Sequence, residues 1–243
     1  MKKELLLIWS CMALAHHAFS QQWFWQNPLP QGNTLYSLKT MSTTAAYAVG
    51  DGGTILKTTN GGTTWLNQTS GTSLLLQSLS VYDASTMYAV GDGGTILKTE
   101  NGGTNWTTQT SGVIDWLYAI QCVNASTAFA VGDGGAILKT TSGGTNWTSQ
   151  TSGTTNGLYA VTTIDANTAF VVGVSGTILK TTNGGTNWTS QTSGTSNGLY
   201  AVWFTNANVG YAAGNGGTIL KTTNGGTNWT SQASGVLSWL QSL

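Results

Sequence analysis

A string beginning Gly-Asp-Gly-Gly-Thr-Ile-Leu-Lys-Thr at Gly50 returns, with small changes, at Gly91, Gly132, Gly173 and Gly214, always 41 residues further on. Residues 176–191 are identical to residues 217–232. A chain built from such units cannot assemble an irregular core. Each unit has to bury its apolar surface against a copy of itself, which restricts the fold to repeat architectures.

Each unit reads as four short strands. The first is Leu-Tyr-Ala-Val at 158–161, matched at 35–38, 76–79, 117–120 and 199–202. The second carries Tyr47, Tyr88, Phe129, Phe170 or Tyr211 ahead of Val/Ala-Gly, and the third is Thr/Ala-Ile-Leu-Lys-Thr. The fourth begins at Trp65, Trp106, Trp147, Trp188 and Trp229. β-Branched and aromatic runs bounded by Gly, Asn and Asp are the signal of strands and turns. Asp51-Gly52 and Asn60-Gly61 are expected to be two-residue hairpin turns. Four strands in about 40 residues is the size of a propeller blade. The expected fold is therefore all-β: a β-propeller of four-stranded blades, five complete and a sixth begun at Leu240–Leu243. In such a fold the Trp of each unit packs between neighbouring blades, where a ring of that size buries roughly 150–250 Å².

The ends read differently. Lys2 and Lys3 precede an apolar run at 5–15, and Ala18-Phe19-Ser20 supplies small residues before a cut. Residues 1–20 are thus expected to be a secretory signal peptide, leaving a repeat domain at 21–243. The apolar run is too short to span a membrane. Trp23 to Gln26 resemble an orphan fourth strand, expected to complete the last blade. Leu240–Leu243 fall in register with the first strand of a further blade, so a longer ring is expected.

Charged residues make up 7% of the chain, with eight acids balanced by eight lysines and no arginine. That composition offers no electrostatic footprint for nucleic acid. Both histidines, His16 and His17, and Cys11 lie in the leader, so Cys122 is the one thiol beyond it. A buried strand residue is the expectation there, because no His or Arg is at hand to lower its pKa. General acid–base and nucleophilic catalysis usually need a His, so no catalytic residue is assigned, and no metal or cofactor. Asp51, Asp92 and Asp133 recur in one turn, which holds Ser175 and Asn215 in the other two units, a pattern of turn formation. Lys57, Lys98, Lys139, Lys180 and Lys221 recur on the third strand and are expected to form a solvated face. Connectivity puts the turn between second and third strands at the same end as the loop to the next blade. That end gathers Asp51, Asp92 and Asp133 with Tyr36, Trp116, Tyr118, Tyr159 and Tyr200, the candidate binding face. Aromatics with carboxylates and amides suit a glycan or a peptide segment.

Thr58-Thr59-Asn60-Gly61-Gly62-Thr63-Thr64-Trp65 resembles the Asp-box, S/T-x-D-x-G-x-T-W, with Asn60, Asn101, Ser142, Asn183 and Asn224 in place of the family's Asp. The whole unit is most similar to the photosystem II assembly-factor family of propellers, and Asp-boxes also occur in sialidases and sortilin-type receptors. The resemblance implies that Asn60, Trp65, Asn101, Trp106, Ser142, Trp147, Asn183, Trp188, Asn224 and Trp229 shape the hairpin and fill the blade. Sialidases hold a carboxylate with an arginine cluster, and the photosystem factor is expected to engage its partner through an arginine-rich patch; this chain has neither. The opening at 26–33 after the leader resembles secreted proteins of Bacteroidetes-type bacteria, some of them type IX secretion cargo. The expected role is a secreted or cell-surface, non-catalytic module binding an unidentified protein or glycan. The alternative is an accessory domain of a larger secreted enzyme such as a glycoside hydrolase.

Overall fold

The computed structural model describes residues 32–243. The expectations for a leader at 1–20 and a strand at Trp23–Gln26 lie outside these residues. The rest is five antiparallel four-stranded sheets, each with its strands in sequence order. The first strands are Leu35–Thr40, Leu76–Val81, Leu117–Cys122, Leu158–Thr163 and Leu199–Phe204. Each packs on the next, placing them on the inside of the array. The second strands run Ala46–Gly50, Met87–Gly91, Ala128–Gly132, Ala169–Gly173 and Gly210–Gly214. The third strands, Ile55–Thr58 and its four repeats, are equally regular. The fourth strands are only two or three residues long and start one residue after the Trp. This is the blade order expected of a propeller. After blade 5 the chain runs on without forming a strand, though Leu240 N–H donates to Gly214 O at 3.1 Å.

Both two-residue turns are corrected. Residues Asp51–Gly53 form a short 3₁₀ turn, closed by Thr54 N–H on Asp51 O and Gly50 N–H on Thr54 O. The next connection is a longer loop at 59–65. There Thr58 Oγ1 accepts from Gly62 N–H at 2.9 Å, and Asn60 Oδ1 accepts from Thr64 N–H at 2.9 Å. Asn101, Asn183 and Asn224 make the same bond, and Ser142 Oγ accepts from Asn146 N–H at 3.0 Å. A side-chain oxygen at the right height is what the loop requires, so Asn or Ser serves where the family motif has Asp.

The core lies between blades. Phe129, Val131 and Ile137 of blade 3 pack on Leu158, Val161, Ala169, Val171, Leu179 and Trp188 of blade 4, and the other three junctions repeat this. Phe129 meets Trp188 edge-on, with centroids 5.9 Å apart and planes at 87°. It also lies over Gly185, where an added Cβ would come 2.7 Å from the ring. At the first junction Tyr47 donates its hydroxyl to Gly102 O at 2.7 Å.

Four of the third-strand lysines, Lys57, Lys98, Lys139 and Lys180, belong to these junctions, which corrects the expectation of a solvated face. Lys57 lies 5.4 Å from the centre of the Tyr47 ring and donates to Gly102 O at 2.8 Å. Lys139 and Lys180 reach Gly184 O and Gly225 O of the following blade in the same way. Lys98, only 8% exposed, pairs with Glu100. In Lys57, Lys139 and Lys180 the aliphatic stem lies along the aromatic ring while the ammonium satisfies a loop carbonyl.

Two outcomes follow for stability. Trp188→Ala empties the junction of blades 3 and 4 and is expected to cost about 3–5 kcal/mol in urea unfolding; a loss under about 1 kcal/mol would place the Trp outside the core. Ser175, the one non-glycine with positive φ among the described residues (56°), stands where other blades have glycine. Ser175→Gly is expected to raise stability by about 1 kcal/mol.

Candidate functional site

The first strand of each blade contains a β-bulge. Leu158 pairs with Gly173 and Ala160 with Val172, leaving Tyr159 as the extra residue. Tyr36, Gln77, Tyr118 and Tyr200 hold the same position in the other blades. A bulge breaks the alternation of side chains and turns one of them out of the regular pattern. The opposed glycine is needed for close approach rather than for its dihedral angles. A Cβ on Gly132 would sit 2.0 Å from Trp116 O, and one on Gly173 would sit 2.1 Å from Gly157 O.

The 3₁₀ turns and the crossovers between blades share one end of the sheets. Asp51 N–H donates to Thr34 O and Asp92 N–H to Leu75 O, while Gly94 N–H donates to Asp115 O. Asp133 ties the site together. Its N–H donates to Trp116 O at 2.9 Å, and its Oδ2 accepts the Tyr118 hydroxyl at 2.9 Å. Burial, then Asp133, hold the Tyr118 phenol well above its ordinary value. Burial likewise raises Tyr159, with Tyr200 and Asp133 as smaller causes. Beside Asp133 opens a cleft of about 760 Å³ lined by Asp115, Gly134, Ser152 and Thr154 among others.

Trp116, Tyr118, Tyr159 and Tyr200 form an unbroken row. Their centroid spacings are 6.1, 5.2 and 5.2 Å in that order. Trp239 extends the row, 5.9 Å from Tyr200. Sequence reasoning missed this fifth ring, although it lies three repeat lengths after Trp116 and so occupies the same position. Trp239 and Trp116 are exposed at 66% and 38%, while the three tyrosines between them are half-buried.

The remaining expected residues are not part of the row. Blade 2 carries Gln77 at the bulge in place of a ring, so the row stops at blade 3. Tyr36 stands apart in blade 1, exposed and held above its ordinary pKa by desolvation and by neighbouring Asp51. At blade 5 the equivalent of Asp133 is Asn215, whose buried Oδ1 has no hydrogen-bond partner among the described residues.

The other ionisable groups have structural settings. Asp83 accepts the Ser85 hydroxyl and the Ser85 and Thr86 N–H groups, and Asp165 accepts the Asn167 and Thr168 N–H groups, which holds both carboxyls below the usual range. Burial pushes the Cys122 thiol up to about 11, as expected of a strand residue. Among the described residues no three His, Cys, Asp or Glu side chains come together. None of their helices is long and apolar enough to cross a membrane. What the row offers is aromatic area, hydroxyls and carboxylates along an extended line.

The fold is similar to solved structures of two kinds. YCF48 from Cyanidioschyzon merolae aligns with a TM-score of 0.56 at 17% identity, covering 86% of this chain and 88% of that one. The GH74 enzyme of Niastella koreensis aligns with a TM-score of 0.65 at 20% identity, over 84% of this chain but 38% of the enzyme. The GH74 xyloglucanase of Xanthomonas campestris gives 0.66 at 12% identity, over 82% and 38%. At such identities the likeness is one of fold. No curated protein matches the sequence. The blade order, the repeated loop and the spacing of the units agree with a match of residues 15–162 and 145–235 to the photosynthesis system II assembly factor YCF48 family, and the chain belongs to that family.

Proposed function

We propose that the chain is an exported, non-catalytic binding module whose row of five rings receives an extended segment of a partner, protein or glycan. The observation that carries this reading is the continuity of Trp116, Tyr118, Tyr159, Tyr200 and Trp239 across three blades and the crossover that follows. A row of rings at one end of a rigid scaffold supplies contact area at low cost in side-chain entropy. Asp133 fixes Tyr118 and the backbone of Trp116, so part of the face is organised before a ligand arrives. Export rests on the leader-like pattern at 1–20.

Titration of the chain with panels of soluble oligosaccharides and peptides, followed by tryptophan emission, tests the assignment. A ligand of this face should perturb Trp116 and Trp239 and lose at least about tenfold in affinity on Tyr159→Ala with Tyr200→Ala, the thermal midpoint staying within a few degrees. Unchanged binding in that double variant would reject the row as the site. Binding by the row should also be flat between about pH 6 and 9, since raised phenol pKa values keep the hydroxyls protonated there. Ionisation of the phenols is easier in the unfolded chain. This contribution to stability is therefore complete below about pH 10 and is lost as the pH rises beyond it.

A further inference from the structure

Charge is sorted between the two ends of the blades. The 3₁₀ turns and crossovers carry Asp51, Asp92, Asp115 and Asp133, and no lysine. All six lysines of residues 32–243 belong to the other half of the sheets or to the opposite end. Lys57, Lys139 and Lys180 reach loop carbonyls there, Lys98 holds Glu100, and Lys221 lies against Tyr211. Lys39 is the fifth of six residues in its strand and so lies away from the acidic end. Among the described residues, the charged side chains at the end that carries the row of rings are all carboxylates.

We infer that the segment this face takes carries lysine or arginine. The inference rests on the reading of the row as a binding face and names its ligand chemistry. A cation gains from the negative faces of Trp and Tyr and from the carboxylates of Asp115 and Asp133 beside them, while an anion meets only repulsion. The chain already uses this contact five times, with a lysine ammonium 5.4–5.7 Å from the centre of a Tyr or Phe ring. Lysine and arginine bring only donors, which complements an end rich in acceptors. An extended peptide with basic residues meets these demands in a way that a neutral glycan does not, because the glycan leaves the carboxylates without a counter-charge.

The test uses the full chain and an array of Ser/Gly peptides of about ten residues with lysine or arginine placed at successive positions. The same array with glutamate and a neutral glucan hexasaccharide serve as the other probes. Basic peptides should bind, with affinity falling several-fold as salt is raised from about 0.05 to 0.5 M. Asp115→Asn with Asp133→Asn should weaken binding at least about tenfold. Asp133→Glu, which keeps the charge, should retain most of it, and Lys39→Gln at the far end should change nothing. Equal binding of glutamate peptides, or indifference to the Asp pair, would overturn the inference. Binding of the hexasaccharide alone, lost on Tyr159→Ala, would overturn the cationic assignment and leave the binding face standing. Absence of binding to any basic peptide also overturns it, whereas failure of the face itself would appear as ligands indifferent to Tyr159→Ala and Tyr200→Ala.

Discussion

One contact organises the molecule: an aromatic ring from the second strand of one blade, seated on a glycine loop and against the tryptophan of the next. Phe129, Gly185 and Trp188 show it most plainly. The seat is why the loop needs glycine at that position and why the tryptophan recurs. It is also why a lysine can be tolerated near the core, since its stem lies along the same ring and its charge ends on a loop carbonyl. With Cys122 a lone, buried thiol among the described residues, no internal disulfide holds them together. Burial between blades, repeated four times, takes that role.

The same arrangement explains a contrast within the first blade. Leu76 and Leu79 are fully buried, but their counterparts Leu35 and Leu38 are 43% and 55% exposed. The sheet is the same; the difference is that blades 2–5 each have a described blade packed on that side. Positions free of the junction, such as the bulge residue and the crossover before it, are where the units diverge. Tyr36, Tyr118, Tyr159 and Tyr200 hold the bulge position in four blades, and Gln77 interrupts them in the remaining one. A binding face can thus be assembled or interrupted blade by blade while the packing stays constant.

Much of this could be read from the sequence because the repeat imposes its own alignment. Strand order, the buried tryptophans and the shared end of Asp133 with Tyr118 and Tyr159 all follow from the period and from connectivity. Other features depend on where an atom ends in space. Lysine at a fixed place on a strand reads as solvated until the neighbouring blade supplies Gly102 O or Gly184 O. Asp51-Gly52 has the composition of a two-residue turn, yet Gly53 continues the reversal, because the crossover backbone presses against it: a Cβ there would lie 2.0 Å from Thr72 O. Trp239 was concealed by lying beyond the last complete unit, in a stretch with no strand to mark it. Tyr36 was grouped with the other rings because composition alone does not register the gap that Gln77 leaves.

The near-identity of the junctions has a consequence for how such a gene can change. Residues 176–191 and 217–232 are the same sequence, and each supplies the third strand, glycine loop and tryptophan of its blade. Loss or gain of one 41-residue unit by unequal recombination would bring together an aromatic ring and a tryptophan of the kinds that meet at the present junctions. Gain or loss of a unit would in the same event lengthen or shorten the aromatic row, because each unit brings its own bulge residue.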